Sequence, residues 1–206
     1  MTILLCVIAG YLAGSIPFAV VVSRLLRLPD PRSYGSRNIG ATNVLRSGNR
    51  LAALLTMLGD AMKGWAAVLV ARLLGLGEEL VALTGFMAFL GHLFPVWLRF
   101  RGGKGVATAG GVLIAFDWRI GIAAIAAWAL VVAATRYSSA GALTAALVAP
   151  LAAWFIAGPG PVFACVVAMA VLLVARHRSN IAKLARGDES RIGAKKADNP
   201  AKEVLP

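Results

Sequence analysis

The chain is short of acid. Its 206 residues hold 9 Asp and Glu against 21 Lys and Arg, a net charge of +12. There are two cysteines, Cys6 and Cys165, both inside apolar runs with neither CxxC nor a nearby histidine. That removes a disulfide framework and any metal-ligand spacing, so no metal site is expected. Both cysteines read as small packing residues. Histidine is equally scarce, with only His92 and His177. The GxxxxGK[ST] pattern is missing, and a P-loop nucleotide fold with it.

What is plentiful is apolar. Hydrophobic residues make up 59% of the chain, and the mean hydropathy is +0.78. The apolar residues come in runs of roughly 20, the length that crosses a bilayer core. An integral membrane protein is expected, of all-α class. The excess of cations invites a nucleic-acid reading, but they lie beside the hydrophobic runs rather than on a domain of their own. That placement fits the positive-inside rule and attraction to anionic headgroups, so membrane lipid is the expected partner and nucleic acid is not. No basic residue precedes the first run, which stays uncharged to Val22; a cleaved signal is not expected.

The runs predict one domain over 1–206, a polytopic helix bundle of seven spans: roughly 2–22, 51–75, 80–98, 106–117, 119–135, 140–157 and 161–175. A basic tail follows over 176–206. With the N-terminus outside and the C-terminus cytoplasmic, segments 23–50, 99–105, 136–139 and the tail share the cytoplasmic face as interfacial loops. They then hold every Lys and Arg except Lys63, Arg72 and Arg119, an asymmetry that sets the orientation. Segment 106–117 is short for a full crossing, and a re-entrant half-helix there would change the parity.

Chemistry concentrates in those loops. In 91–108, GHLFPVWLRFRGGKGVAT, the cations Arg99, Arg101 and Lys104 lie among Gly102, Gly103 and Gly105. Glycines let backbone N–H groups converge, and a helix starting near Val106 would aim its positive end at the same point, so a phosphate is expected there. The plainer alternative is an ordinary basic turn. In 35–46, GSRNIGATNVLR, Ser36, Asn38, Thr42 and Asn43 offer hydrogen bonds and Arg46 a bidentate grip on phosphate; capping of a short helix is the alternative. Ser138 and Ser139 can likewise cap a helix or offer a hydroxyl. Asp60 and Lys63, three apart within a span, read as an internal ion pair or as the floor of a site. His92 reads as a structural hydrogen-bonder. In the tail, His177 and Asn180 share a helix face, and the flanking Arg176 and Arg178 favour neutral imidazole.

Taken in order, GSRNIGATNVLR, GHLFPVWLRFRGGKGVAT and RHRSNIAKLARGDE (176–189) resemble the bacterial acyl-phosphate-dependent glycerol-3-phosphate 1-acyltransferases, with lesser support from GSIPF, GDAMKG and TRYSS. Two positions depart: Arg37 stands where glycine is usual, and Lys183 where arginine is usual. The resemblance implies a seven-span enzyme of the bacterial inner membrane with its site on the cytoplasmic face. It would transfer an acyl group from acyl phosphate to the 1-hydroxyl of glycerol 3-phosphate, the first acylation of phospholipid synthesis. Acyl-CoA and acyl carrier protein would not be donors, no metal or cofactor is implied, and no obligate protein partner is inferred. Lys104 and Arg46 would hold phosphate and stabilise negative charge. Ser36, Asn43, Ser139 and Asn180 would orient substrates, with Asn38, Thr42, Arg101, Gly102, Gly103 and Gly105 completing the binding surface. His177 would take the hydroxyl proton or bind phosphate. No Ser-His-Asp set is present, and the HxxxxD pattern fails because its aspartate position, counted from His92, is Trp97.

A transporter for an anionic solute is the main alternative, using the same loops as an entrance. It would require polar groups at the midplane of several spans, where only Asp60 and Lys63 stand. No repeat suggests an inverted-repeat transporter. A scaffold protein would need none of these loop residues.

Overall fold

The computed structural model describes residues 2–193, which form ten α-helices and a 3₁₀ turn and no strand. The helices are α1 (Thr2–Gly14), α2 (Phe18–Leu25), α3 (Ala41–Leu45), α4 (Arg50–Leu73), α5 (Glu78–Leu93), α6 (Val106–Phe116), α7 (Trp118–Thr135), α8 (Ser138–Ala157), α9 (Pro161–Arg176) and α10 (Arg178–Arg186); the turn is Val96–Leu98. The last part of the basic tail, 194–206, lies outside the described residues.

Local chemistry sets the boundaries. The Asn49 side chain caps α4 by accepting from the Ala52 N–H at 2.9 Å, and Asp117 caps α7 through the Arg119 N–H at 2.8 Å. Both occupy orphan donors of a first helical turn. Pro161 opens α9, where a missing N–H costs nothing.

Four segments, Arg50–Leu73, Glu78–Leu98, Trp118–Thr135 and Ser138–Ala157, are long and apolar enough to cross a membrane. Counting each of two bent pairs as one span, α1 with α2 at 43° and α9 with α10 at 56°, brings the number up to six. The span expected over 2–22 is thus bent between α1 and α2. Pro17 has no N–H to continue α1, and the Ile16 carbonyl freed by the break accepts from Lys63 Nζ at 2.7 Å. Helix α6 has 11 residues, about 16 Å at 1.5 Å per residue and half of a hydrocarbon core.

Helices α4, α6, α7, α8, α9 and α5 pack in that cyclic order, and α1 lies on α5 and α4. Phe89, Leu93, Val112, Ile120 and Val166 are fully or almost fully buried in the main core. Two pairs approach backbone to backbone: a Cβ at Gly14 or Gly91 would overlap the facing helix between α1 and α5, and one at Gly64 or Gly111 would do so between α4 and α6. Such close approach is how helices associate where lipid supplies no hydrophobic drive. The outward surface keeps Leu4, Leu73, Leu130 and Phe155 well exposed, as a lipid-facing surface should.

Candidate functional site

The four basic segments are cross-linked at one end of the bundle. Thr42 and Ser138 share a hydrogen bond of 3.2 Å. Lys104 Nζ donates to Asn180 Oδ1 at 2.5 Å, and an Arg46 N–H donates to Ser190 Oγ. Arg136 exchanges backbone and side-chain bonds with Ile192. Beneath these links lies a cavity of about 530 Å³. Its mouth is polar and cationic, with Ser36, Asn38, Thr42, Arg46, Lys104, Ser139, His177 and Asn180. Its shaft is apolar, with Leu54, Met57 and Leu58 of α4, Ile114 of α6, Ile125 and Trp128 of α7, and Ala142, Ala145 and Ala149 of α8.

Asn43 organises the first loop. Its amide donates to Pro31 O at 2.7 Å and Tyr34 O at 3.3 Å, while its Oδ1 accepts from Ser36 N at 2.8 Å and Ser36 Oγ at 3.1 Å. All its capacity is engaged. Asn43 is 2% exposed, lines the cavity and holds Ser36 at the mouth. The alternative of a capped helix is not met, since α3 follows Gly40 with no side-chain cap. Nor do Ser138 and Ser139 cap α8; Ser139 Oγ donates instead to Glu189 Oε1 at 2.7 Å.

The glycine loop is built differently from the nest that its composition suggests. The N–H groups of Gly102 and Gly103 donate backward to Leu93 O and His92 O at 3.2 and 3.1 Å. A Cβ at Gly102 would overlap those carbonyls, and one at Gly103 would overlap the His92 ring. These glycines seat the loop on α5 and line no part of the cavity. Arg101 is exposed and also off the lining. Arg176 clamps the other side, donating to Gly102 O at 2.9 Å and to Gly103 O at 3.2 and 3.1 Å. The backbone then turns at Gly105, with φ +84°, a conformation that suits glycine. The N–H groups of Lys104 and Gly105 make no hydrogen bond among the described residues, and α6 starts immediately after them, an arrangement that suits an anion.

Electrostatics sharpen the mouth. Burial holds the Lys104 ammonium below its ordinary pKa, with Glu189 opposing and Arg46, Lys183 and Arg176 adding to the depression. His177, between α9 and α10, is pushed down to about 4, first by burial, then by Lys104 and Arg176 against the opposing Leu173 bond and Glu189. The expected neutral imidazole is therefore owed mainly to burial rather than to flanking arginines. His177 Nδ1 lies 2.8 Å from Leu173 O. A carbonyl only accepts, so the proton is on Nδ1 and Nε2 keeps its lone pair.

Glu189 is a site residue that pattern reading missed. Its Oε1 accepts from Ser139 and from Asn180 Nδ2, each at 2.7 Å, and it lines the mouth with Ser190. The signal was the acidic pair Asp188 and Glu189 just past the Gly187 turn in a mostly basic tail. Asp60 and His92 also reach the cavity lining.

Residues 4–187 match the glycerol-3-phosphate acyltransferase family. Relatives of that name include one from Burkholderia pseudomallei (strain K96243), 57% identical over 199 residues and covering 95% of this chain and 98% of its own. Another, from Burkholderia lata, is 58% identical over 198 residues, covering 95% and 93%. The fold is also similar to crystal structures of PlsY (YgiH), an integral membrane glycerol 3-phosphate acyltransferase. Its glycerol 3-phosphate form gives a TM-score of 0.88 at 36% identity, covering 94% of this chain and 96% of that one. Its lysophosphatidic acid form gives 0.86 at 35% with the same coverage. With the family match spanning most of the chain, and the likeness of sequence and fold agreeing with it, this integral membrane protein belongs to the glycerol-3-phosphate acyltransferase family.

Proposed function

We propose that the chain moves a fatty acyl group from acyl phosphate to the 1-hydroxyl of glycerol 3-phosphate, releasing 1-acyl-glycerol 3-phosphate and inorganic phosphate. The observation that carries this is one cavity joining a cationic, hydrogen-bonding mouth to an apolar shaft. Two phosphate-bearing substrates meet at the mouth, and the shaft takes the chain of one of them.

Lys104, Arg46 and the N–H groups opening α6 neutralise phosphate charge. Ser36, Asn38, Thr42, Ser139 and Asn180 orient the polar groups, and Gly105 gives α6 its turn. His177 Nε2 accepts the proton of the attacking hydroxyl. The hydroxyl oxygen bonds to the acyl carbon, the bond from that carbon to the phosphate oxygen breaks, and the leaving phosphate takes the proton from His177. A mixed anhydride is already activated, so positioning and charge neutralisation supply most of the rate. The basic end of the bundle faces the cytoplasm of a bacterial inner membrane in this reading. The N-terminus is outside, and α6 counts as one of seven spans.

The test is product formation by purified protein from acyl phosphate and glycerol 3-phosphate, with acyl-CoA as a control donor. Wild type makes lysophosphatidic acid and phosphate from acyl phosphate alone, and Lys104→Ala loses at least about a hundredfold in turnover. Turnover from acyl-CoA, or full activity in Lys104→Ala, would overturn the donor or the role of Lys104 respectively.

A further inference from the structure

Three titratable side chains that the reaction above does not use lie buried together behind the glycine loop. Asp60 is 2% exposed, Lys63 6% and His92 4%. Lys63 Nζ pairs with Asp60 Oδ1 at 2.7 Å and with the Ile16 carbonyl at 2.7 Å, and the Phe18 ring centroid lies 5.9 Å away. His92 Nδ1 stands 3.4 Å from the same Asp60 oxygen, a close electrostatic approach without hydrogen-bond geometry. Desolvating an ion pair inside a membrane is costly, and apolar residues of equal volume commonly serve stability as well or better. What distinguishes this set is where it leads.

We propose that Asp60, Lys63 and His92 form a buried positioning network whose output is the placement of Lys104. At one end the network closes the break between α1 and α2 through Ile16. At the other, the His92 ring fills the space where Gly103 has no Cβ, with Nε2 nearest that position. The His92 carbonyl takes the Gly103 N–H at 3.1 Å. The Asp60 charge acts on the ring at close range, Lys63 balances Asp60, and the ring and carbonyl together set the height of Gly103. Arg176 grips Gly103 from the opposite side. The next residue is Lys104, whose ammonium is aimed at Asn180 across the mouth. Tilt in the His92 ring therefore moves Lys104 without unfolding a helix. Asp60 and His92 touch no reacting atom in this scheme; they act through the loop.

This inference rests on Lys104 holding phosphate, and the experiment separates the two. Affinity for glycerol 3-phosphate is measured by calorimetry on purified protein, which needs no acyl donor. Lys104→Gln weakens binding, and unchanged affinity there would sink the anion site itself. His92→Ala weakens binding by about tenfold to a hundredfold while the apparent melting temperature changes little. His92→Asn, which keeps a donor toward Asp60, recovers most of that loss. In the Lys104→Gln background, His92→Ala has less than about a twofold further effect, because both act through one group. Losses that multiply independently, or His92→Asn no better than His92→Ala, would overturn the network. Should His92→Ala fail to fold, Asp60→Asn with Lys63→Met removes both charges together. It is expected to show the same affinity loss and the same non-additivity with Lys104→Gln, and additive losses there count equally against the proposal.

Discussion

Arg37 carries a local cost. Its φ is +57°, in the left-handed region where an L side chain loses roughly 1–2 kcal/mol. It stands where glycine is usual in the resembling motif, and the side chain is exposed. Arg37→Gly removes that strain and gives back about 0.4–1 kcal/mol through the freer unfolded chain. The net is about 1 kcal/mol of added stability, readable as a higher apparent melting temperature in detergent; a lower one would contradict the backbone account. His177 teaches a related lesson about single residues. Its neutrality was legible from neighbours in sequence, but the main cause is burial, and the tautomer depends on a carbonyl one turn back, at Leu173. Asn43 was legible as polar and loop-borne, while its four bonds inward depend on how residues 31–36 fold around it.

At the scale of elements, the caps at Asn49 and Asp117 and the Pro161 start emerge with the structure, while most helices could be read from apolar run length. The break at 15–17 could not, because it is stabilised by Lys63 from another helix. The inward use of Gly102 and Gly103 was hidden for a similar reason: it depends on α5 ending beneath them. Glycine spacing alone says that a backbone comes close to something, not what it approaches. Helix α6 gives a controlled case, with two adjacent glycines in different surroundings. A Cβ at Gly111 would overlap the Ala61 carbonyl of α4, whereas one at Gly110 meets nothing within 4 Å. Gly→Ala inside a helix gains about 1 kcal/mol where there is room, and overpacking costs about 1–3 kcal/mol where there is none. Gly110→Ala is expected to hold or raise the apparent melting temperature, and Gly111→Ala to lower it. Equal effects at both positions would mean that α4 and α6 are not in backbone contact.

On the scale of the whole molecule, the site is a vertical arrangement, with charge at the basic end and a shaft below it. The loops announce the mouth in the sequence; nothing in the sequence announces the depth of the shaft, which depends on which helices face each other. Its wall on α8 runs from Ser138 to Ala149, about 16 Å at 1.5 Å per residue. On α9 it runs from His177 to Val166, a similar depth. The shaft thus reaches about half way through a hydrocarbon core of roughly 30 Å. Small residues on α8, Ala142, Ala145 and Ala149, leave the room, and Ala149 is the deepest of them. Replacing Ala149 with Leu puts three more carbons against the floor while leaving every group at the mouth untouched. Long-chain acyl phosphates should then lose kcat/KM by about tenfold or more relative to short-chain ones, since excluding a few methylenes costs about 0.8 kcal/mol for each. The KM for glycerol 3-phosphate should stay within about twofold, because uniform loss of that affinity would indicate a disturbed mouth. A series of acyl phosphates of increasing length, assayed on wild type and Ala149→Leu, reads both quantities. An unchanged length profile would mean that the chain leaves the mouth by another route, between α4 and α7, where Leu54, Leu58 and Ile125 are exposed toward lipid.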